Sequence, residues 1–218
     1  MSPLARAYAA LAFGPASFVY EALTGGEAWR RDCREMAALV PGPRVLDIGV
    51  GPGTSAIEMT RADPGRRHVG LDRSAAMVRT AARRASQAAV PLCLVRADAL
   101  RLPVRTGAFD GATGHSLLYL LADPCAALAE VLRVLRPGGA AAFLEPAAGE
   151  ASAREALRDG PRHLAAMVMW RGMSGLHRRF QPDELATLAV SAGLVDVAVR
   201  PVLAGYGLVV TGRRAGPP

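Results

Sequence analysis

Asp47 stands two residues ahead of the run Gly49-Val50-Gly51-Pro52-Gly53, and Asp72 and Asp98 each close a later apolar stretch. Glycine lets backbone N–H groups approach a ligand closely, and a helix opening after such a loop attracts anions with its first amides. A dinucleotide fingerprint places its third glycine inside the helix, as Gly-x-Gly-x-x-Gly, whereas the spacing here is Gly49-x-Gly51-x-Gly53. Asp47 would also set a negative charge against a pyrophosphate. An ammonium is welcome beside that carboxylate, and a ligand carboxylate suits the N–H groups from Gly51 to Ser55, so the loop selects a zwitterion. The amino acid end of S-adenosylmethionine is one.

Asp72 lies 72 − 47 = 25 residues further on, and its two oxygens can accept both hydroxyls of a ribose. Asp98 can accept from an adenine amino group while the N–H of Ala99 donates to a ring nitrogen and Arg73 or Met77 packs on the ring face. Each acid alone reads equally well as a helix cap or a loop end. Three acids at three consecutive strand ends, one of them before a glycine loop, point together to a nucleoside ligand.

The elements that would hold these residues alternate. Glu27 to Val40 has helical apolar spacing and runs into Pro41-Gly42-Pro43; Arg44 to Ile48 reads as a buried strand, followed by the loop and a helix to about Arg61. His68 to Leu71 is a second strand, and Ser74 caps a helix to about Ser86. Pro91 to Val95 and Phe109 to Gly114 are strands three and four. A helix opens at Asp123-Pro124 and is expected to stop at Pro137-Gly138-Gly139, before a fifth strand from Ala140 to Leu144. Glu145 to Pro182 reads as irregular to helical. A last helix, Pro182 to Ala192, precedes strands Val195 to Arg200 and Gly207 to Thr211, one of them antiparallel. This order implies an α/β, Rossmann-like, mostly parallel sheet with helices on both faces.

Composition bounds the rest. The 218 residues suit a single domain: a helical N-terminal cover over 1–42, a cofactor-binding core over 43–146, an insertion over 147–181, and a C-terminal helix with two strands over 182–218. No apolar run approaches the ~18 residues a membrane span needs. Cys33, Cys93 and Cys125 fit neither a disulfide framework nor a metal knuckle, so the expectation is a cytoplasmic protein without metal. The net charge is +7, yet the sequence has no lysine at all. Its arginines therefore reflect a composition bias more than a polyanion partner, and the basic stretches lack interleaved aromatic platforms, which argues against nucleic acid. Arginines at 61, 66, 67, 79, 83, 84, 171, 178 and 179 leave open peripheral contact with an anionic membrane or a phosphate-bearing substrate.

Val45-Leu-Asp-Ile-Gly-Val-Gly-Pro-Gly-Thr54, Gly70-Leu-Asp72, Arg96-Ala-Asp-Ala99, Phe109-Asp110 and Arg133-Val-Leu-Arg-Pro-Gly-Gly139 resemble, in order, the motifs of class I S-adenosylmethionine-dependent methyltransferases. The resemblance covers about Pro43 to Pro146. It is similar within that class to the ubiquinone/menaquinone-biosynthesis group, and departs from it at Pro146 and Ala204-Gly-Tyr-Gly-Leu208. It implies a seven-stranded sheet with a reversed last strand. It further implies that His115-Ser116 reaches the methyl donor and that Tyr119 floors the acceptor cleft, making His115 and Tyr119 the candidate catalytic residues.

For the acceptor, Tyr8 and Tyr20 in the N-terminal segment and Met169, Trp170 and His177 in the insertion offer an apolar, aromatic cover. A small hydrophobic, aromatic or lipid-like substrate follows. A nicotinamide oxidoreductase, favoured by Asp72 but opposed by Asp47, and a non-catalytic cofactor-binding module are the alternatives.

Overall fold

The computed structural model describes residues 26–216. Helix α1 (Glu27–Leu39) buries Trp29, Cys33, Met36 and Ala37, one stripe at helical spacing. Strand β1 (Arg44–Ile48) follows, then α2 (Thr54–Ala62), β2 (Arg67–Asp72), α3 (Ala75–Gln87), β3 (Cys93–Arg96) and β4 (Phe109–His115). A 3-10 turn (Leu118–Leu120) leads to α4 (Pro124–Val134), β5 (Leu135–Pro146), α5 (Ala153–Arg158), α6 (Pro161–Ser174), α7 (Pro182–Ser191), β6 (Val195–Val202), a second 3-10 turn (Leu203–Gly205) and β7 (Gly207–Arg213). The expected caps are in place: Ser74 Oγ accepts from Met77 N–H at 3.4 Å and Asp123 Oδ1 from Ala126 N–H at 2.9 Å.

The sheet runs β3-β2-β1-β4-β5-β7-β6. Neighbours from β3 to β5 are parallel, and β7 lies antiparallel between β5 and β6. The seven-stranded, Rossmann-like expectation holds, with β7 as the reversed strand. Strand order turns back between β1 and β4, and that switch point is where an open parallel sheet admits a ligand. No helix among the described residues is long and apolar enough to cross a membrane.

Two expectations are corrected. Pro137-Gly138-Gly139 does not separate α4 from the fifth strand: α4 ends at Val134 and β5 runs straight through the three residues. They form a bulge, with register jumping between the Phe109/Leu135 and Gly111/Ala140 pairs. A Cβ on Gly139 would lie 2.9 Å from the carbonyl oxygens of Arg136 and Asp110, so the close approach requires glycine. The stretch after Glu145 is also more regular than expected, carrying α5 and α6.

Alternation along the strands divides the core. Val45 packs with Trp29, Met36, Met59, Leu144, Met167 and Trp170 under α1, α2 and α6. Leu46 and Ile48 face the opposite layer with Leu118, Leu128, Phe143, Phe180 and Leu185 under α4 and α7. Each such side chain contributes about 1.5–3 kcal/mol on burial. By the same alternation Asp47, between Leu46 and Ile48, points into the α1/α2 layer.

Candidate active site

At the C-terminal ends of β1, β2 and β4 the structure opens a small cleft of ≈ 100 Å³. One side is the glycine loop, from Gly49 to Ser55. It turns by left-handed residues, with φ of +69° at Gly49, +52° at Gly51 and +86° at Gly53. Gly53 ends the turn as the N-cap position of α2. The loop is held from β2: Val50 N–H donates to Leu71 O at 2.9 Å and Gly51 N–H to Asp72 Oδ2 at 3.0 Å.

Asp72 lines the cleft and also accepts from Ser74 N–H at 2.7 Å, which aims its carboxylate. Burial pushes its pKa up against those two amides. The remaining lone pairs of the two oxygens face the open space beside the loop.

The opposite wall runs from His115 to Leu120, with Trp29 of α1 above it. Ser116 adopts φ +58°, a left-handed conformation costly for a serine, as the chain leaves β4. Its hydroxyl is buried and without a hydrogen-bond partner among the described residues. The wall hangs from Glu145, fully buried at the end of β5, whose oxygens accept from the N–H groups of Leu117, Leu118 and Tyr119 at 3.0, 2.8 and 3.2 Å. Burial raises its pKa to about 7 against those three bonds. Tyr119 is buried and meets the His177 ring edge-on at 5.9 Å between centroids.

Behind the loop lies a polar cluster. Asp47 is 1% exposed; it accepts from Ser55 Oγ at 2.6 Å and Thr113 Oγ1 at 2.9 Å, and its Oδ1 stands 3.7 Å from His115 Nδ1. Thr113 is the direct cross-strand partner of Asp47 on β4. Asp47 therefore does not line the cleft. Its charge acts from one layer behind the amides.

Of the sequence-derived residues, Gly49, Gly51, Asp72, His115, Ser116 and Tyr119 come together around one space. Arg73 and Asp98 are exposed, and Asp98 spends one oxygen on Leu100 N–H at 3.0 Å. Met77 and Ala99 are buried in packing. None of these four lines the cleft, which stops at the loop and Asp72. Trp170 is corrected from a lining residue to a supporting one. The buried stripe of α6 is His163, Ala166, Met167, Trp170 and Ser174, so Trp170 is fully enclosed and braces Trp29 edge-on at 5.6 Å, while Met169 falls off that stripe. Tyr8 and Tyr20 lie outside the described residues. Trp29, Thr113, Leu117 and Leu120 are not among the sequence-derived site residues, and the pairing of Thr113 with Asp47 shows only in the strand register.

Phe109-Asp110, part of the motif set, lies at the other end of the sheet. Asp110 accepts from Arg44 N–H and Nε–H at 3.0 Å each and from Arg136 Nε–H at 2.6 Å. It closes the floor rather than the cleft.

Residues 45–139 match the model of a family described as a methyltransferase domain. The chain is 36% identical over 168 residues to an uncharacterized 37.1 kDa protein in transposon TN4556 of Streptomyces fradiae, covering 74% of this chain and 46% of that protein. It is 40% identical over 111 residues to the demethylmenaquinone methyltransferase of Beutenbergia cavernae, covering 51% and 44% of the two chains. The chain thus spans about half the length of the curated relatives it matches. Among solved structures, a SAM-dependent methyltransferase from Aquifex aeolicus superposes with TM-score 0.65 at 17% identity, covering 85% of this chain and 89% of that one. A putative methyltransferase of Haloferax volcanii, in complex with the activator Trm112, does so with TM-score 0.68 at 20% identity over 92% and 95%. These two show the shared fold.

Proposed function

We propose that the chain, whose residues 45–139 match a methyltransferase-domain family, transfers a methyl group from S-adenosylmethionine to a small hydrophobic or aromatic acceptor. The observation that carries this reading is the convergence, in one cleft, of the glycine-loop amides, the aimed carboxylate of Asp72 and the His115–Leu120 wall. When bound, S-adenosylmethionine supplies a methyl carbon on a sulfonium, open to in-line displacement by a nucleophile.

The residues fit such a ligand. The loop N–H groups suit its carboxylate, and Asp72 suits the ribose hydroxyls. The buried hydroxyl of Ser116 and both ring nitrogens of His115 have no hydrogen-bond partner among the described residues, a state that a polar ligand relieves. Asp47 favours the ammonium through its field. Trp29, Leu117, Tyr119 and Leu120 give the acceptor side an apolar lining, which orients a hydrophobic substrate and excludes water. The name demethylmenaquinone methyltransferase, carried by several relatives, supports an aromatic, lipid-like acceptor.

Calorimetry of the purified protein tests the cofactor. S-adenosylmethionine should bind the wild type, and Asp72→Ala should weaken it by about 10- to 150-fold, the equivalent of ~1.5–3 kcal/mol for hydrogen bonds to a charged group. NADH should not compete. Failure of the wild type to bind S-adenosylmethionine, or displacement of it by NADH, overturns the reading. A radiolabel-transfer screen over phenols, hydroquinones and hydrophobic amines then identifies the acceptor class and excludes a purely non-catalytic module.

A further inference from the structure

Resting on the methyltransferase reading, we propose that His115 keeps the site at one positive charge throughout the cycle, shedding its proton as the sulfonium ligand binds and regaining one from an acceptor that is an O–H or N–H nucleophile.

Three observations converge on this residue. Its side chain is only 6% exposed yet lines the cleft beside the glycine loop, and neither ring nitrogen has a hydrogen-bond partner among the described residues. A buried carboxylate, Asp47, stands 3.7 Å from its Nδ1, and the hydrogen bonds to that carboxylate come from the neutral hydroxyls of Ser55 and Thr113. The groups acting on the imidazole come from each surrounding element: the Cys33 sulfur from α1, Asp47 from β1, and Glu145 from β5, whose carboxyl is engaged with three backbone amides. Burial disfavours the imidazolium, but the Cys33 sulfur and the Asp47 carboxylate outweigh it and raise the His115 pKa to about 10. The Asp47 carboxylate 3.7 Å from Nδ1 favours the charged ring before any ligand arrives.

One buried carboxylate balances one cation. S-adenosylmethionine carries a sulfonium besides its zwitterionic end, a net charge of one that the imidazolium opposes across the same enclosed space. His115 resolves the conflict by releasing its proton to solvent, which leaves a free lone pair facing the acceptor. As the acceptor lone pair bonds to the methyl carbon, the C–S bonding pair returns to sulfur, and His115 takes the proton that the acceptor O–H or N–H gives up. The thioether product is neutral at sulfur and the imidazole is positive again. The site therefore holds an imidazolium, then a sulfonium, then an imidazolium, and Asp47 balances each in turn.

The test compares S-adenosylmethionine with S-adenosylhomocysteine, which differ in the sulfonium and share the amino acid and nucleoside ends, so the contacts of those ends cancel in the affinity ratio. Calorimetry from about pH 5.5 to 7, where the α-ammonium of both ligands stays protonated, should show the ratio moving in favour of the sulfonium by close to tenfold per pH unit. Buffers of different ionisation enthalpy should count about one more proton released with the sulfonium than with the thioether. In His115→Gln both differences should vanish while both ligands still bind. A pH-independent ratio in the wild type, or a slope that survives in His115→Gln, overturns this proposal alone. Failure of either ligand to bind the wild type overturns the methyltransferase reading and this one with it.

Discussion

Glu145 ends β5 with no exposed surface and takes three N–H bonds from the turn that walls the cleft. Its carboxyl oxygens are thus engaged by backbone amides and hold the wall in place. Truncating this side chain strands three buried donors and leaves a cavity, so Glu145→Ala should cost about 2–4 kcal/mol in urea unfolding. Its folded pKa, about 7, exceeds the ordinary glutamate value of 4.5. The folded state therefore binds the proton more tightly than the unfolded chain, and the stability this residue contributes is complete below about pH 4.5 and lost as pH rises to about 7. Urea midpoints measured across that window should fall with rising pH in the wild type and stay flatter in Glu145→Gln. Equal slopes would mean that the carboxyl is not the group titrating.

The glycine loop separates two costs that the sequence shows as one motif. Gly51 and Gly53 both have positive φ, but a Cβ on Gly51 would meet only Gly49 O at 3.9 Å, whereas one on Gly53 would press Ala81 Cβ of α3 at 3.0 Å. Gly51→Ala should thus lose only the backbone term, about 1–2 kcal/mol, and Gly53→Ala should lose more because α2 must move from α3. Thermal melts that rank Gly51→Ala as the more damaging would contradict this packing. The same contrast explains what was legible. Strand–loop–helix order, the Ser74 and Asp123 caps and the site residues Gly49 and Asp72 follow from local pattern, because turn chemistry and period-2 burial are written within a few residues, whereas His115 is implied only by the family resemblance. The Pro137-Gly138-Gly139 bulge was not legible, since a glycine pair that stops a helix and one that kinks a strand look alike until Arg214 is seen pairing with it. Nor was the exchange of roles between Trp29 and Trp170, which depends on which of two packed helices overhangs the cleft.

Across the whole molecule the parallel strands have two unlike ends, and only one carries the site. At the other, Asp110 is buried and gathers Arg44 and Arg136, while Gly42 makes room for it: a Cβ there would lie 2.3 Å from Asp110 Cβ. The Arg44 guanidinium beside it, opposed by burial and helped by Arg136, holds the Asp110 carboxyl below the usual aspartate range. A depressed folded pKa means stability that is present above the unfolded value, about 3.9, and lost as pH falls through the folded one. Asp110→Asn should therefore melt below the wild type at neutral pH, with the gap closing on acidification below about pH 4. Because the floor ion cluster and the cleft occupy opposite edges of the sheet, the same variant should bind S-adenosylmethionine with unchanged affinity at pH 7. A constant melting gap would remove the ionic account of the floor, and a weakened ligand would show that the two ends of the sheet are coupled through β4, the strand that joins Asp110 to His115.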